Sequence, residues 1–267
     1  MNVLVTFALD PEFAPWRALR AFRRVPGVAA ARPTAPAIFE SEIDDSVLRV
    51  ALTGIGAAPA ERAMETLLRE PPDVCISSGL AGGLRPQHRP GQVLVARAVR
   101  QVMSCSGGFS PPSSPHNSDP ALVEAAVRTG AKAVSSFLTT EQIVWTTDGK
   151  SALAPLADAL EMEGYSILSR ALAAGIPAIA IRAIGDPVET DMPLDFNRVV
   201  DERTGKLQPM RILRQVAGRP HRVPSFVRFG IESRRAASRL AAFLDRYVTD
   251  LIVGSQRTEL VAEVAAG

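Results

Sequence analysis

The chain contains few of the residues that build disulfide frameworks or metal sites. Its 267 residues include two cysteines and three histidines. Cys75 lies inside an apolar segment and Cys105 in a polar one, and no histidine has a second potential ligand at metal-site spacing. These features exclude a disulfide framework and favour free thiols and isolated histidines. The sequence therefore implies no metal site.

Long hydrophobic runs are missing as well. No segment approaches the roughly 20 consecutive apolar residues that a membrane-spanning helix requires, and residues 1–5 begin a strand-like segment rather than a signal-peptide pattern. We therefore expect a cytoplasmic protein. With 46% hydrophobic residues and a formal net charge of +2, the chain can bury one sizeable core, so a single domain is expected.

Acidic residues are scarce in one region of this nearly neutral chain. Between residues 211 and 246, nine arginines face only Glu232 and Asp245. A solvated basic helix face explains this excess without any partner. Phe226 and Phe229 among the arginines would also allow the segment to make peripheral contact with an anionic membrane. Because no nucleic-acid-binding motif accompanies the charge, we expect no nucleic acid partner.

Short apolar segments alternate with amphipathic ones along the chain. Segments with the length of buried strands cover residues 3–8, 48–53, 74–78, 93–99, 133–137, 157–162 and 176–184. Helical spacing covers residues 60–68, 121–129, 165–174 and 224–252. This alternation predicts an α/β fold in which a central, mostly parallel mixed sheet is flanked by helices.

We expect the α/β domain to occupy residues 1–253. Residues 104–120 are rich in Ser, Pro and Gly and form a predicted polar loop insertion, either a mobile surface loop or a lid. Residues 211–250 form a basic, helical C-terminal region, and residues 254–267 form a flexible tail.

Carboxylates stand at the ends of two predicted strands. Asp186 ends the apolar run at 176–184, and Glu161 and Glu163 flank Met162 at the end of another strand. Buried strands open onto a crevice at their carboxyl ends, where α/β proteins bind their ligands. Two alternatives stay open, because a turn before a proline would also explain Asp186 and a helix dipole would also explain Glu163.

Two glycine-rich segments follow predicted strands. Residues 54–56 resemble a dinucleotide-binding loop, but Pro59 occupies the third glycine position and no acid ends a strand about 20 residues later, which disfavours dinucleotide binding. Residues 79–83 follow the strand at 74–78 as a predicted turn. Their backbone N–H groups could approach a ligand closely.

The order of these segments resembles that of the nucleoside phosphorylase and nucleosidase superfamily, above all the methylthioadenosine/S-adenosylhomocysteine nucleosidases. The matching segments are residues 8–13, 54–56, 79–83, 161–163 and 185–186. Residues 220–244, rich in Arg, Pro and Phe, resemble the hopanoid-associated branch of the same superfamily. The resemblance implies a nucleoside phosphorylase-like fold, no cofactor or metal, an adenine nucleoside as the small-molecule partner, and a homo-oligomer.

The resemblance also implies roles for individual residues. Glu12 falls where the family activates the attacking water, and Asp186 where it protonates N7 of the departing purine. Glu163 falls where the ribose hydroxyls are bound, with Met162 beneath the sugar. Bordering the base and the sugar, the remaining expected substrate-binding residues are Ile143, Val144, Leu80, Ala81 and Gly82.

The chemistry requires these residue types. Breaking a purine N-glycosidic bond builds positive charge on the sugar and negative charge on the base, so an anion near the sugar and an acid at the base stabilise one transition state. Asp186 must hold a proton near neutral pH, which burial favours, whereas Glu12 must be ionised to accept a proton from water.

Two residues favour water over phosphate as the nucleophile. Ser77 and Leu80 stand where hexameric phosphorylases of the superfamily carry an arginine and a serine, and loss of the guanidinium removes a strong anion contact. Arg17, Arg20 or Arg85 could bind phosphate by another route. We predict hydrolysis of a 5′-modified adenine nucleoside; phosphorolysis of the same bond and a non-catalytic nucleoside sensor are the alternatives.

Leu80 also departs from the serine usual in the nucleosidases. Together with the basic and aromatic C-terminal region, this departure is consistent with a large apolar 5′ substituent that is presented at a membrane surface.

Overall fold

The computed structural model describes residues 1–26, 35–105, 108–201, 203–218 and 220–266, without the side chains of 220 and 257–266. The strands are β1 Asn2–Phe7, β2 Arg23–Arg24, β3 Ala37–Ile43, β4 Ser46–Leu52, β5 Val74–Gly83, β6 Val93–Val102, β7 Ser104–Cys105, β8 Gly108–Phe109, β9 His116–Asn117, β10 Lys132–Thr140, β11 Ala159–Glu161, β12 Ala178–Asp186, β13 Val200–Asp201 and β14 Lys206–Leu207. The helices are α1 Asp10–Leu19, α2 Ala57–Leu67, α3 Pro120–Thr129, α4 Thr147–Leu153, α5 Gly164–Ala173, α6 Pro209–Ala217 and α7 Val223–Ala266, with short 3-10 turns at Phe196–Arg198 and Pro220–Arg222.

A ten-stranded sheet forms the centre of the fold. Its order is β11-β10-β6-β12-β5-β1-β4-β3-β2, with β9 attached to β6. The parallel pairs are β1 with β4, β1 with β5, β12 with β5, β10 with β6 and β10 with β11. The antiparallel pairs include β12 with β6, β2 with β3 and β3 with β4. The predicted central mixed sheet is therefore confirmed; among the described residues, five of its ten strand pairings are parallel.

Apolar side chains of the strands pack against helices on both faces of the sheet. Val3 and Val5 of β1 contact one core, to which α1, α3 and α7 contribute, while Leu4 contacts a second core with residues of α2 and α5. The alternation of these side chains follows from the period of two in a strand. Because both faces are covered, the open places on the sheet are its strand ends.

Four parts of the fold differ from the sequence-based expectation. The segment at 79–83 is not a turn, because β5 continues through it to Gly83. The helix α1 was not predicted, since Pro11 and Pro15 interrupt its apolar spacing; Pro11 nevertheless fits the first turn of a helix, where no backbone N–H is needed. The edge strand β3 and the short helix α4 were not predicted either.

The two predicted appendages are more regular than expected. In the segment 104–120, β7 pairs with β8 and β9 pairs with β6, while residues 106 and 107 lie outside the described ranges. α7 continues through Gly254, so the tail predicted at 254–267 does not begin at a helix end; Gly267 and the side chains from 257 onward lie outside the description. Among the described residues, no helix has the length and apolar character needed to cross a bilayer.

Candidate active site

The residues predicted for the site surround one cavity of about 1020 Å³. This volume is at the upper end of the range typical of ligand pockets, about 300–1,000 Å³. The cavity lies at the carboxyl ends of β5, β11 and β12 and beside the start of α1. The nine residues predicted to act on or bind a substrate all line it: Glu12, Leu80, Ala81, Gly82, Ile143, Val144, Met162, Glu163 and Asp186.

Glu12 is held in the first turn of α1 by two backbone groups. The N–H of Leu9 donates to Glu12 Oε2 at 2.9 Å, and the N–H of Leu80 donates to Glu12 Oε1 at 2.8 Å. Both carboxylate oxygens are therefore fixed in position. Burial raises the pKa of Glu12, while the two N–H groups and the charge of Arg182 oppose that rise.

Gly79 allows Glu12 to approach β5 closely. The φ of Gly79 is +148°, which L residues rarely adopt, and a Cβ at this position would lie 2.9 Å from Glu12 Oε1. The neighbouring acid, Asp10, does not line the cavity and pairs with Arg17 at 2.7 Å. The helix thus presents Glu12 to the cavity and Asp10 to the surface.

Glu163 stands at the start of α5, directly after β11. The N–H of Gly56 donates to Glu163 Oε1 at 2.7 Å, so the glycine loop after β4 positions this carboxylate. Gly56 has a φ of +99°, a conformation that favours glycine. Burial, followed by the charge of Glu161, raises the pKa of Glu163 to about 8, and the charge of Arg182 opposes the rise.

The raised pKa makes stability depend on pH. Between its ordinary value of 4.5 and about 8, Glu163 holds its proton in the folded protein and has released it in the unfolded chain, so stability falls as pH rises through this window. Glu163→Gln removes that loss. At about pH 9 we expect the variant to be more stable than the native chain by at least about 1.4 kcal/mol, the equivalent of one pKa unit.

Urea unfolding between about pH 5 and about pH 9 measures this effect. The control is Glu124→Gln, which changes an exposed carboxylate of α3 and leaves the pH dependence as it is in the native chain. If Glu163→Gln lost stability with rising pH as steeply as the native chain, the effect would have another origin.

A buried ion pair supports the end of β11. Arg182 of β12 donates to the Glu161 carboxylate, to the Ser77 carbonyl at 2.7 Å and to the Ser77 hydroxyl at 3.0 Å. Glu161 also accepts the N–H of Gly164 at 2.6 Å. The sequence analysis missed the role of Arg182. The signal was present, because a lone charge inside the apolar run at 176–184 requires a buried partner.

Asp186, the last residue of β12, pairs with a buried lysine. Lys150 Nζ donates to Asp186 Oδ2 and to the carbonyl oxygens of Pro187 and Thr190, at 3.0 and 2.9 Å. Burial raises the pKa of Asp186, and the opposing effect of Lys150 is smaller. The sequence analysis missed Lys150, because it lies in a short polar segment without a pattern that predicts burial.

Removing Lys150 tests how much this pair stabilises the fold. Lys150→Met leaves Asp186 and two carbonyl groups without their buried donor, so we expect the free energy of unfolding to fall by about 3 kcal/mol or more. Lys132→Met, the same change at an exposed position, is expected to alter it by less than about 0.5 kcal/mol. Equal effects of the two changes in urea unfolding would show that the pair does not stabilise the protein.

Opposite Asp186, a loop brings Ile143 and Val144 to the cavity. Asn197 fixes this loop: its Oδ1 accepts the N–H of Ile143 at 2.7 Å and its Nδ2 donates to the Ile143 carbonyl at 2.9 Å. Within the described part of the chain, nothing hydrogen-bonds to the backbone of Val144. The N–H and the carbonyl of Val144 are therefore available to a ligand. Asn197 carries no motif and was not predicted.

Away from the acids, the cavity wall is mostly apolar and is formed by three helices. Its polar members are Ser233, Arg234 and Ser238 of α7. The apolar lining residues of this part are Pro11, Ala14, Pro15, Ala18 and Leu19 of α1, Ile212 of α6, and Phe226, Phe229, Gly230 and Ala242 of α7. Ile212, Phe226 and Phe229 also pack against the small core formed by Leu194 and Phe196. The sequence did not predict that α1 and α7 would share a cavity wall.

The arginines considered as phosphate ligands do not line the cavity. Arg17, Arg20 and Arg85 each lie beside a carboxylate, at 2.7, 2.7 and 3.9 Å. Arg234 of α7 is the only cation among the described lining residues. Among all the residues that the structure describes, no group of three His, Cys, Asp or Glu side chains is arranged to hold a metal ion.

Comparison with known proteins identifies the family of the chain. A family model described as the phosphorylase superfamily matches residues 4–217. The chain belongs to the phosphorylase superfamily. This confirms the family predicted from the order of the sequence motifs, and with it the expected class, a nucleosidase or nucleoside phosphorylase. The likeness of residues 220–244 to the hopanoid-associated branch, and the homo-oligomer, stay predictions.

Two curated relatives of this phosphorylase-superfamily protein are, by name, a hydrolase and a nucleosidase. Futalosine hydrolase of Streptomyces coelicolor is 28% identical over 157 residues, covering 51% of this chain and 67% of the relative. The 5′-methylthioadenosine/S-adenosylhomocysteine nucleosidase of Tolumonas auensis is 25% identical over 218 residues, covering 75% and 93%.

A solved structure shows the same fold. The 5′-methylthioadenosine/S-adenosylhomocysteine nucleosidase of Helicobacter pylori, with butyl-thio-DADMe-Immucillin-A, has a TM-score of 0.69 and 20% identity and covers 94% of this chain and 98% of that one. The predicted nucleoside phosphorylase-like α/β fold is thereby confirmed.

Proposed function

We propose that this enzyme hydrolyses the N-glycosidic bond of an adenine nucleoside with a large apolar 5′ substituent and releases adenine. One observation carries the proposal: Glu12, Glu163 and Asp186 line a single cavity whose remaining wall is mostly apolar. The three carboxylates supply the base, the sugar-binding anion and the acid that the reaction needs, and the apolar wall leaves space for a long substituent.

Glu12 and Asp186 act at the two ends of the breaking bond. The C1′–N9 bond breaks with its electron pair moving to the purine, and Asp186 donates its proton to N7. Water forms the new bond to C1′ and gives its proton to Glu12. Burial raises the pKa of Asp186, which favours the protonated form that this step requires. The backbone N–H groups of Leu9 and Leu80 orient the Glu12 carboxylate toward the cavity.

Glu163 binds the ribose hydroxyls. Gly56 occupies one of its oxygens, and the other lone pairs can accept hydrogen bonds from two vicinal hydroxyls, which selects ribose over deoxyribose. The anion also stabilises the positive charge that develops on the sugar. The protonated form that predominates in the free protein at neutral pH gives way to the carboxylate when these donors arrive.

Val144 supports adenine as the base. Its N–H can donate to a ring nitrogen and its carbonyl can accept from the exocyclic amine, and both groups lack a partner among the described residues. Asn197 holds the preceding residue, Ile143, by both of its backbone groups, so the loop is already shaped for such a contact.

The apolar wall supports a large 5′ substituent. Leu80 cannot donate a hydrogen bond to a polar group beside the sugar, and Phe226 and Phe229 extend the apolar lining away from the acids. The Helicobacter pylori relative holds a compound that carries a butylthio group. The apolar part of this cavity has room for a longer chain, in keeping with the predicted likeness of residues 220–244 to the hopanoid-associated branch.

Adenine release tests the proposal. The substrates are methylthioadenosine, S-adenosylhomocysteine, adenosine and a long-chain 5′-alkyl adenosine, each with and without phosphate. We expect release without phosphate, and a kcat/KM for the long-chain compound about tenfold or more above that for adenosine. Release only with phosphate would establish phosphorolysis. Binding without release would establish a nucleoside sensor.

A further inference from the structure

Large apolar side chains are exposed on the three helices that form the apolar wall. Six of the nine such side chains among the described residues lie there and have relative exposures between 39% and 63%. We call these six the apolar rim: Leu19 of α1, Met210 and Leu213 of α6, and Val223, Val227 and Ile231 of α7. Exposed apolar side chains that cluster in this way mark an interaction surface.

The apolar rim borders the mouth of the cavity. Leu19 is itself a lining residue and is exposed, so the cavity reaches the surface beside it. Val227 and Ile231 each follow a lining residue of α7, Phe226 and Gly230. A ligand that enters the apolar end of the cavity therefore passes the rim.

The rim of α7 is a regular stripe. Val223, Val227 and Ile231 are spaced four residues apart, which places them on one side of the helix. Arg228 and Arg235, spaced seven apart, lie on a neighbouring side and are exposed. On α6, the exposed Met210 and Leu213 are likewise next to exposed arginines.

The charge of this region has one sign. Between residues 203 and 244, Glu232 is the only acidic residue, and it pairs with Arg228 at 3.0 Å. An apolar stripe bordered by arginines is the pattern of helices that lie in the interface of an anionic bilayer. A second copy of the chain fits less well, because a two-fold contact would bring the same arginines of both copies together.

We propose that the apolar rim and its neighbouring arginines form a docking surface for an anionic lipid bilayer, with the apolar end of the cavity opening toward the acyl chains. The docking surface is independent of turnover; its use as a substrate entrance rests on the proposed function. A nucleoside with a long apolar 5′ chain would then pass from the bilayer into the cavity without exposing that chain to water.

Vesicle co-sedimentation of the full chain tests the docking surface. Vesicles of phosphatidylcholine with phosphatidylglycerol are compared with vesicles of phosphatidylcholine alone. We expect binding to the anionic vesicles and weaker binding at high salt. The triple variant Val223→Ser, Val227→Ser, Ile231→Ser should bind these vesicles at least roughly tenfold more weakly than the native chain. The control Val127→Ser, Leu172→Ser removes exposed apolar side chains of α3 and α5 and should bind normally.

A second pair of variants tests the charge in case the triple variant folds poorly. Arg214→Gln with Arg235→Gln removes two exposed charges of the surface, and Arg69→Gln with Arg128→Gln removes two exposed charges elsewhere. Only the first pair should weaken binding to anionic vesicles. Hydrolysis of methylthioadenosine, measured in parallel, should be the same in all these variants.

Three outcomes would overturn the docking surface. The first is that the native chain does not bind anionic vesicles, and the second is that the test and control variants lose binding equally. The third is that the triple variant retains vesicle binding but changes its self-association, which would assign the rim to a contact with a second copy. Vesicle binding without any adenine release would support the docking surface and would refute the proposed function.

Discussion

Glu12→Gln is expected to lower kcat/KM for phosphate-independent adenine release by about 10²- to 10⁴-fold, the usual contribution of a general base. Glutamine keeps the size of the side chain but cannot accept the proton of the attacking water. It also turns one carboxylate oxygen into an N–H₂ group, which would face the N–H of Leu9 or Leu80. The loss should appear in kcat more than in KM, because the group acts on water and not on the bound nucleoside.

Asp10→Asn is the matched control for this prediction. It neutralises an acid two residues away in the same helix, at an exposed position that pairs with Arg17, and should leave adenine release within about threefold of the native rate, since exposed pairs contribute little. A Glu12→Gln variant that retained native activity would remove Glu12 from the mechanism. Retained activity only with phosphate would identify phosphate as the nucleophile, because an anionic nucleophile needs no base.

The central sheet was predictable because each buried strand is a short, nearly continuous apolar run. β12 shows this most clearly, since all of its residues before Asp186 are buried. The one charged residue before Asp186, Arg182, did not disturb the prediction, because the flanking residues are apolar on both sides of the sheet. The helix α1 was not predictable in the same way. Its apolar residues Phe13 and Trp16 are separated by Pro15, which normally ends a helix.

The positions of the acids were predictable, but the groups that control them were not. Asp186 ends β12 and Glu163 lies two residues after the end of β11, and the carboxyl ends of buried strands are where α/β proteins bind their ligands. Lys150, by contrast, reaches Asp186 from a short polar helix 36 residues away in the chain. Such a contact depends on how the loop after β12 folds back over the sheet. Local sequence contains no signal for it.

The apolar wall of the cavity could not be predicted either, because it joins the start of the chain to its end. Leu19 and Phe226 line the same cavity, although about 200 residues separate them. Contacts fix this arrangement: Trp16 Nε1 donates to Asp245 Oδ1 at 2.9 Å and Arg20 Nε donates to the same oxygen at 2.7 Å. Sequence spacing predicts that α7 has an apolar side, but not which helix covers it.

Asp186→Asn is expected to be the most damaging change at the base end of the cavity. Asparagine retains the shape and can still accept a hydrogen bond from Lys150, but it has no acidic proton to donate to N7. We expect kcat/KM to fall by about 10²- to 10⁴-fold. Nucleoside binding should persist, because the amide can still contact the base, so equilibrium binding and turnover must be measured on the same variant.

The pH profile distinguishes loss of an acid from loss of structure. Release requires Glu12 and Glu163 ionised and Asp186 protonated, so kcat/KM should rise with pH through the pKa values of Glu12 and Glu163 and fall with pH through that of Asp186; burial raises all three pKa values. In Asp186→Asn the residual activity should keep the rising limb and lose the falling one. The control Asp191→Asn changes an exposed acid five residues later, which accepts from Thr147 at 2.7 Å, and should retain both limbs. A falling limb that survived in Asp186→Asn would assign the proton to another group at the cavity.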